Sequence, residues 1–245
     1  MRGAVAARRE PVVEQPPARA PIGEPRRRRP VFVVASEIRE LPRTARARFA
    51  KRAIDLVGSL LALVLLAPVV VLVMLAVRLT SRGPIFFVQD RCGLGGRLFR
   101  FYKFRTMVVD AEHRKADLVH LNEMQGPMFK IERDPRITRV GAVLRKLSLD
   151  ELPQLWNVLK GDMSLVGPRP PTPDEVEEYT PHQVQRLAVI PGITGLWQVS
   201  GRSDIADFER WIELDLQYAR EWSLWLDLRI IAKTPVVVVL ARGAQ

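Results

Sequence analysis

Leu56 to Val77 is a run of 22 residues without a charged side chain, and it constrains the chain more than any other feature. A bilayer offers no partners for backbone N–H and C=O groups, so an apolar run longer than ~18 residues reads as a membrane helix. Pro68 stands almost at its middle. Basic residues flank both ends: Arg43, Arg46, Arg48, Lys51 and Arg52 before it, Arg78 and Arg82 after it. Positive charge marks cytoplasmic flanks, so both ends read as lying on the same face. A helix that enters the bilayer, breaks at Ala67-Pro68 and returns meets that demand, because proline removes a donor and obstructs the carbonyl four residues back. An ordinary kinked span is the alternative, since prolines are tolerated in spanning helices.

The formal charge of +11 is unevenly placed: residues 1–50 hold 12 Lys+Arg against 5 Asp+Glu, leaving only +4 for the remainder. That first stretch is rich in Pro and Arg and has no sustained period, so residues 1–50 read as a disordered basic arm. Val31–Ala35 could pair as a short strand within it. With the charge in an arm rather than on a face interleaved with aromatics, anionic lipid of the inner leaflet is the expected partner, not nucleic acid. Cys92 stands alone, which excludes an internal disulfide and suits a reducing compartment. The apolar segment starts too far in for a cleavable signal peptide.

Residues 51–82 form the membrane helix-break-helix, and from 83 to 245 the composition is that of a soluble domain. Ile85–Gln89 and Leu98–Phe104 read as strands about the glycine turn Cys92-Gly93-Leu94-Gly95-Gly96, which lacks the spacing of a phosphate loop. Helices are predicted over 108–124, 150–160 and 204–221. The tail Trp222–Leu240 suits an amphipathic helix at the membrane surface, or a buried C-terminal helix. The fold class is therefore mainly α with a small β-hairpin (α+β). His113, His120 and His182 show no metal-ligand spacing and read as solvated surface.

The segment from Arg145 to Leu159 supports two readings. Ser148 with Glu151 fits a capping box, Asp150 favours the positive end of a helix, and Leu152, Leu155 and Leu159 supply an apolar stripe. The same helix end would also favour a phosphate. One carboxylate could then attack phosphorus while the other holds Mg²⁺, with Arg145 and Arg169 as fixed cations. Asp134 and Asp162 could approach that metal or the nucleotide, although Asp beside proline or glycine is more often a turn residue. Gly192, Thr194, Gly195 and Arg202 lie in a glycine-punctuated loop suited to a nucleotide sugar.

Seven ordered motifs carry a resemblance from about Lys51 to the C-terminus. They are Lys51-Arg52-Ala53-Ile54-Asp55, Gly83-Pro84-Ile85-Phe86-Phe87-Val88-Gln89, Lys103-Phe104-Arg105-Thr106-Met107, Asp134-Pro135-Arg136-Ile137-Thr138, Ser148-Leu149-Asp150-Glu151-Leu152-Pro153-Gln154, the Gly161–Pro170 segment, and Pro191-Gly192-Ile193-Thr194-Gly195. The chain resembles the monotopic bacterial phosphoglycosyl transferases, the bacterial sugar transferase family. The resemblance implies that Asp150 is the nucleophile and Glu151 its dyad partner positioning Mg²⁺, with Asp162 a further metal candidate. It implies Lys103, Arg105, Arg145 and Arg169 around the substrate phosphates, and residues 83–245 as the catalytic domain with interfacial amphipathic helices. It also implies a UDP-sugar donor, a polyprenyl (undecaprenyl) phosphate acceptor and release of UMP in exopolysaccharide or O-antigen assembly. The implied location is the bacterial inner membrane, catalytic domain cytosolic, with a homodimer and downstream glycosyltransferases as further partners. Glucose and galactose are the sugars it suggests. The rival from another class is a non-enzymatic basic membrane adaptor whose acidic pair only caps a helix.

Overall fold

The computed structural model describes residues 44–124, 126–201 and 207–239. The basic arm as far as residue 43, Val31–Ala35 within it, and Arg202 lie outside the described residues. The chain starts on one long helix, α1 (Ala45–Thr80), whose N-cap Thr44 accepts a hydrogen bond from the Ala47 amide. The helix thus begins six residues before the boundary read from the sequence. Its 36 residues span about 54 Å at 1.5 Å per residue. Helical backbone continues through Pro68, so the break expected at Ala67-Pro68 is no gap between two helices. Proline removes a single N–H donor, a loss that a bend inside a continuous helix absorbs.

One face of α1 docks on the rest of the protein along both halves. In the first half Lys51, Asp55 and Ser59 follow the four-residue spacing of a helix face and are all buried. In the second, Val73 and Val77 join Phe104 and Leu144 in a core cluster edged by Val69, Val70 and Met74. Ser59 and Val73 stand about 21 Å apart along the axis, yet both touch the same globular body. The opposite face, including Leu61, Val64, Leu65, Leu72 and Leu75, is exposed. Among the described residues α1 is the one helix long and apolar enough to cross a membrane, and only 11% of its most apolar window is buried. Each large apolar side chain left in water costs about 1.5–3 kcal/mol relative to burial, so this face is not built for water.

Two strands follow, β1 (Phe86–Cys92) and β2 (Leu98–Phe104), antiparallel in the register Phe87↔Lys103, Gln89↔Phe101, Arg91↔Phe99. Gly95, at φ +62°, makes the turn between them. The helix predicted over 108–124 is not formed as one piece: α2 covers only Ala111–Arg114, and a 3₁₀ turn covers Ala116–Leu121. That turn buries none of its residues, so it has no apolar stripe to hold it against the core. Next come α3 (Arg139–Lys146) and α4 (Gln154–Lys160), then a short strand β3 (Ser164–Val166). Beyond them lie α5 (Pro173–Glu177), α6 (Pro181–Val184), β4 (Gly192–Thr194), α7 (Leu196–Val199), α8 (Phe208–Glu221) and α9 (Leu224–Val239). The sequence reading missed the parallel pairing of β3 with β4, Ser164↔Gly192 and Val166↔Thr194. A three-residue strand gives almost no alternation to read.

Both readings of the tail are partly met. In α9 Asp227 and Ile230 are buried against the body, while Trp225, Leu228 and Val236 are exposed. Asp227 closes the fold onto α1: Lys51 Nζ lies 2.7 Å from Asp227 Oδ2 and donates to the Val166 carbonyl at 3.1 Å. The Tyr218 hydroxyl lies 2.7 Å from Asp227 Oδ1, and the Trp222 indole donates to Oδ2 at 3.2 Å. One helical turn on, Asp55 accepts from the Ser164 hydroxyl and the Leu165 amide, both at 2.9 Å. Arg52 donates to the Val158 and Leu159 carbonyls at 2.6 and 2.8 Å, satisfying the last turn of α4. Lys51 and Arg52, read from sequence as charges at the lipid boundary, are therefore engaged inside the protein.

Candidate active site

Asp150 and Glu151 occupy a 3₁₀ turn, Leu149–Glu151, between α3 and α4. The expected capping box is absent: Ser148 takes a left-handed conformation (φ 54°) and its side chain makes no capping bond. The chain reverses there, with the Ser148 amide bonded to the Arg145 carbonyl and the Glu151 amide to the Ser148 carbonyl. The order Leu-Asp-Glu-Leu then sorts itself by polarity. Leu149 and Leu152 pack into the cluster shared with α1, while Asp150 and Glu151 meet Lys103 of β2.

Lys103 Nζ lies 2.9 Å from Glu151 Oε1 and 3.5 Å from Asp150 Oδ2, and Arg169 Nη1 lies 3.5 Å from Glu151 Oε1. Asp150 is only 5% exposed. Burial raises its carboxyl pKa above the ordinary value, opposed chiefly by Lys103 and reinforced by the Glu151 charge. Arg145 also bears on Asp150 electrostatically, and its own Nε donates to the Thr106 hydroxyl at 3.0 Å. Asn157, fully buried on α4, fixes the distance between strand and turn. Its amide donates to the Arg100 carbonyl at 2.6 Å and accepts from the Tyr102 amide at 3.2 Å, imitating a neighbouring strand beside β2.

Arg169 is carried on Gly167-Pro168-Arg169-Pro170-Pro171, where three prolines supply carbonyls without N–H groups. Neighbours provide the donors. Arg186 Nη2 reaches the Arg169 carbonyl at 3.0 Å, Arg91 Nη1 the Pro170 carbonyl at 3.0 Å, and the Cys92 amide the Pro171 carbonyl at 2.9 Å. Behind the loop stands β4, so close that a Cβ on Gly167 would fall 2.3 Å from the Ile190 carbonyl oxygen, and one on Gly192 2.1 Å from the Gly167 nitrogen.

A cleft of about 240 Å³ opens in front, lined by Arg91, Phe101, Lys103, Arg105, Arg145 and Arg169 among others. Asp150 and Glu151 lie behind this lining, in contact with Lys103. Of the residues expected at the site, Lys103, Arg145, Asp150, Glu151 and Arg169 converge. Arg105 reaches the cleft but gives its Nη2 to Ser81, at 2.9 Å to the carbonyl and 2.7 Å to the hydroxyl, so it also closes the end of α1.

Asp162 does not join them. It accepts from Lys160 at 2.7 Å, past the end of α4 opposite to Asp150, and that seven-residue helix alone is about 10 Å long. Asp134 is held by Arg136 at 2.6 Å, the role of a turn residue. Thr194 is buried against α9 with its hydroxyl 2.8 Å from that of Thr234, so its loop braces the Arg169 segment instead of facing the cleft. His113 and His120 are exposed and His182 pairs with Glu213 at the surface, as expected. Burial pushes the Cys92 thiol up to about 11.

No cluster of three or more His, Cys, Asp or Glu side chains able to hold a metal occurs among the described residues. The adjacent carboxylates of Asp150 and Glu151 nonetheless fit the usual magnesium arrangement, one or two carboxylates completed by waters and substrate phosphates. Sequence reasoning missed Arg91. It ended β1 at Gln89, whereas the strand runs to Cys92, and the two-residue period that aligns Phe87 with Lys103 also brings Gln89 and Arg91 to that face.

A buried Asp150 and a partly buried Glu151 thus stand behind a basic cleft, in a domain bound to a long apolar helix. The model of the bacterial sugar transferase family matches residues 46–241. Over 80% of its length the chain is 54% identical to the galactosyl transferase CpsE of Streptococcus agalactiae, covering 43% of that protein. It is 44% identical over 80% to the exopolysaccharide production protein ExoY of Rhizobium meliloti, covering 88%. Against the undecaprenyl-phosphate galactose phosphotransferase of Salmonella typhimurium it is 44% identical over 81%, covering 42%. The chain thus spans less than half of two of these relatives and most of the third. It belongs to the bacterial sugar transferase family.

Proposed function

We propose that this chain moves a sugar 1-phosphate from a UDP-sugar to polyprenyl phosphate, with Asp150 as covalent nucleophile, at the start of an exopolysaccharide-type glycan. The observation that carries this reading is the buried Asp150 carboxylate held by Lys103, which itself lines the cleft together with Arg145 and Arg169. A diphosphate entering the cleft offers Lys103 and Arg169 new partners and leaves the two carboxylates less occupied. An Asp150 oxygen attacks the sugar-linked phosphorus, and the bond from that phosphorus to the bridging oxygen breaks, so UMP departs with that oxygen. An oxygen of polyprenyl phosphate then attacks the acyl phosphate, the phosphorus–Asp150 bond breaks, and the carboxylate is restored. Glu151 with Asp150 would hold Mg²⁺, which neutralises diphosphate charge when bound.

The docking of both halves of α1 on one domain supports a re-entrant helix, because a straight span would carry one end across a hydrocarbon core of about 30 Å. The acceptor's phosphate lies at the interface, so the domain sits on the cytosolic face of the inner membrane. Homodimerisation and hand-over to downstream glycosyltransferases belong to the same proposal. Galactose stands in the names of two relatives and is the donor sugar to try first. The test is UMP release from UDP-galactose by the purified chain in nanodiscs with polyprenyl phosphate, other UDP-sugars following. Asp150→Asn, nearly isosteric, should abolish release and the trapped phosphosugar adduct. Undiminished release by this variant would sink the covalent mechanism.

A further inference from the structure

Arg91 is a cation of the cleft that the reaction scheme above leaves without a task. The strand register sets it on one face with Gln89, Phe101 and Lys103. Its guanidinium carbon lies 5.4 Å from the Phe101 ring centroid, and Lys103 Nζ lies 5.6 Å from the same centroid. The two cations therefore stand no further apart than those two distances laid end to end, a span that a nucleoside diphosphate bridges. Nη1 of Arg91 is spent on the Pro170 carbonyl, but its buried Nε has no acceptor. Burial, and next the neighbouring Arg169 guanidinium, pull Arg91 down to about 10, with Glu175, Tyr179 and Glu151 opposing. Two crowded guanidinium groups beside open volume, one with an idle donor, suit a multiply charged anion better than a neutral group.

Resting on the proposed donor chemistry, we propose that Arg91, with Arg169, binds the phosphate of the departing nucleotide. Lys103 and Arg145, nearer Asp150, serve the phosphorus under attack. The subsite takes a nucleoside monophosphate as product, and as leaving group it stabilises the charge that builds on the bridging oxygen.

The experiment is equilibrium binding of UMP and of uridine to the full chain in nanodiscs, for wild type, Arg91→Met and Arg91→Lys, with thermal unfolding of each. UMP affinity should fall about tenfold or more in Arg91→Met and several-fold in Arg91→Lys, the loss of one charge-assisted contact. Uridine affinity should hold within about twofold. An equal fall for both ligands would make Arg91 only a strut for the Pro170 loop and overturn the assignment, as would unchanged UMP binding. Should Arg91→Met fail to fold, Arg91→Lys carries the same comparison. UMP release by the wild type tests the parent reaction separately: release with undiminished UMP binding in the variants removes Arg91 alone, whereas neither release nor UMP binding removes both.

Discussion

Replacing Lys51 with methionine should cost the protein far more than a surface charge would. The ammonium group is buried against Asp227, whose carboxylate is equally enclosed, with side-chain exposures of 6% and 3%. Methionine fills most of the space but leaves the Asp227 charge with only the Tyr218 hydroxyl and the Trp222 indole as partners. Removing one member of a buried pair costs about 3–5 kcal/mol. For a chain of this size each kcal/mol lowers Tm by about 2–4 °C, so the midpoint should drop by roughly 6–20 °C. Tryptophan fluorescence during thermal unfolding in nanodiscs measures it, since Trp222 itself touches Asp227. Adding Asp227→Asn removes the stranded charge and keeps an acceptor, so the double variant should recover at least about 1.5 kcal/mol of the loss. A drop below about 1 kcal/mol for Lys51→Met, or a double variant worse than the single, would refute the latch.

Asp150→Asn should also unfold at higher temperature than wild type at neutral pH. Burial raises the Asp150 carboxyl in the folded state, so its favourable contribution is full at low pH and fades as pH rises through the folded value. The gain should accordingly shrink in acid, and a pH-independent Tm difference would count against it. Lys103 is the main influence holding that carboxyl down, so Lys103→Met should shift the acid limb of the rate profile to higher pH; an unmoved limb refutes the contact's importance. Gly167→Ala drives a methyl into the Ile190 carbonyl and must displace the Arg169 loop, costing about 1–3 kcal/mol. UMP release should fall with it, and wild-type activity would show the loop to be slack.

Local pattern made the long apolar helix and the hairpin legible, because charge-free length and two-residue alternation are properties of contiguous sequence. Lys103, Arg145, Asp150, Glu151 and Arg169 were placed by motif resemblance and do converge. What stayed hidden depends on neighbours distant in the chain. Asp162 and Thr194 lie near site motifs in sequence, but Lys160 and Thr234 claim them. Ser148 and Glu151 carry the letters of a capping box, yet the reversal after α3 needs a left-handed residue at Ser148, and α4 starts only at Gln154. Lys51 and Arg52 read as boundary charges because nothing local announces Asp227 or the open carbonyls of α4.

The docking of both halves of α1 has a consequence for where such a protein can work. A spanning anchor must match the full hydrocarbon thickness, and sterol-rich, thin and thick bilayers differ by several ångströms, each mismatch costing fractions of a kcal/mol per ångström. In the re-entrant arrangement proposed above, an anchor fixed to its own domain on both sides of Pro68 would take its depth from one surface alone. The far leaflet would then drop out of the geometry, and the turn that carries Asp150 would keep its height above the lipid headgroups whatever the thickness beneath.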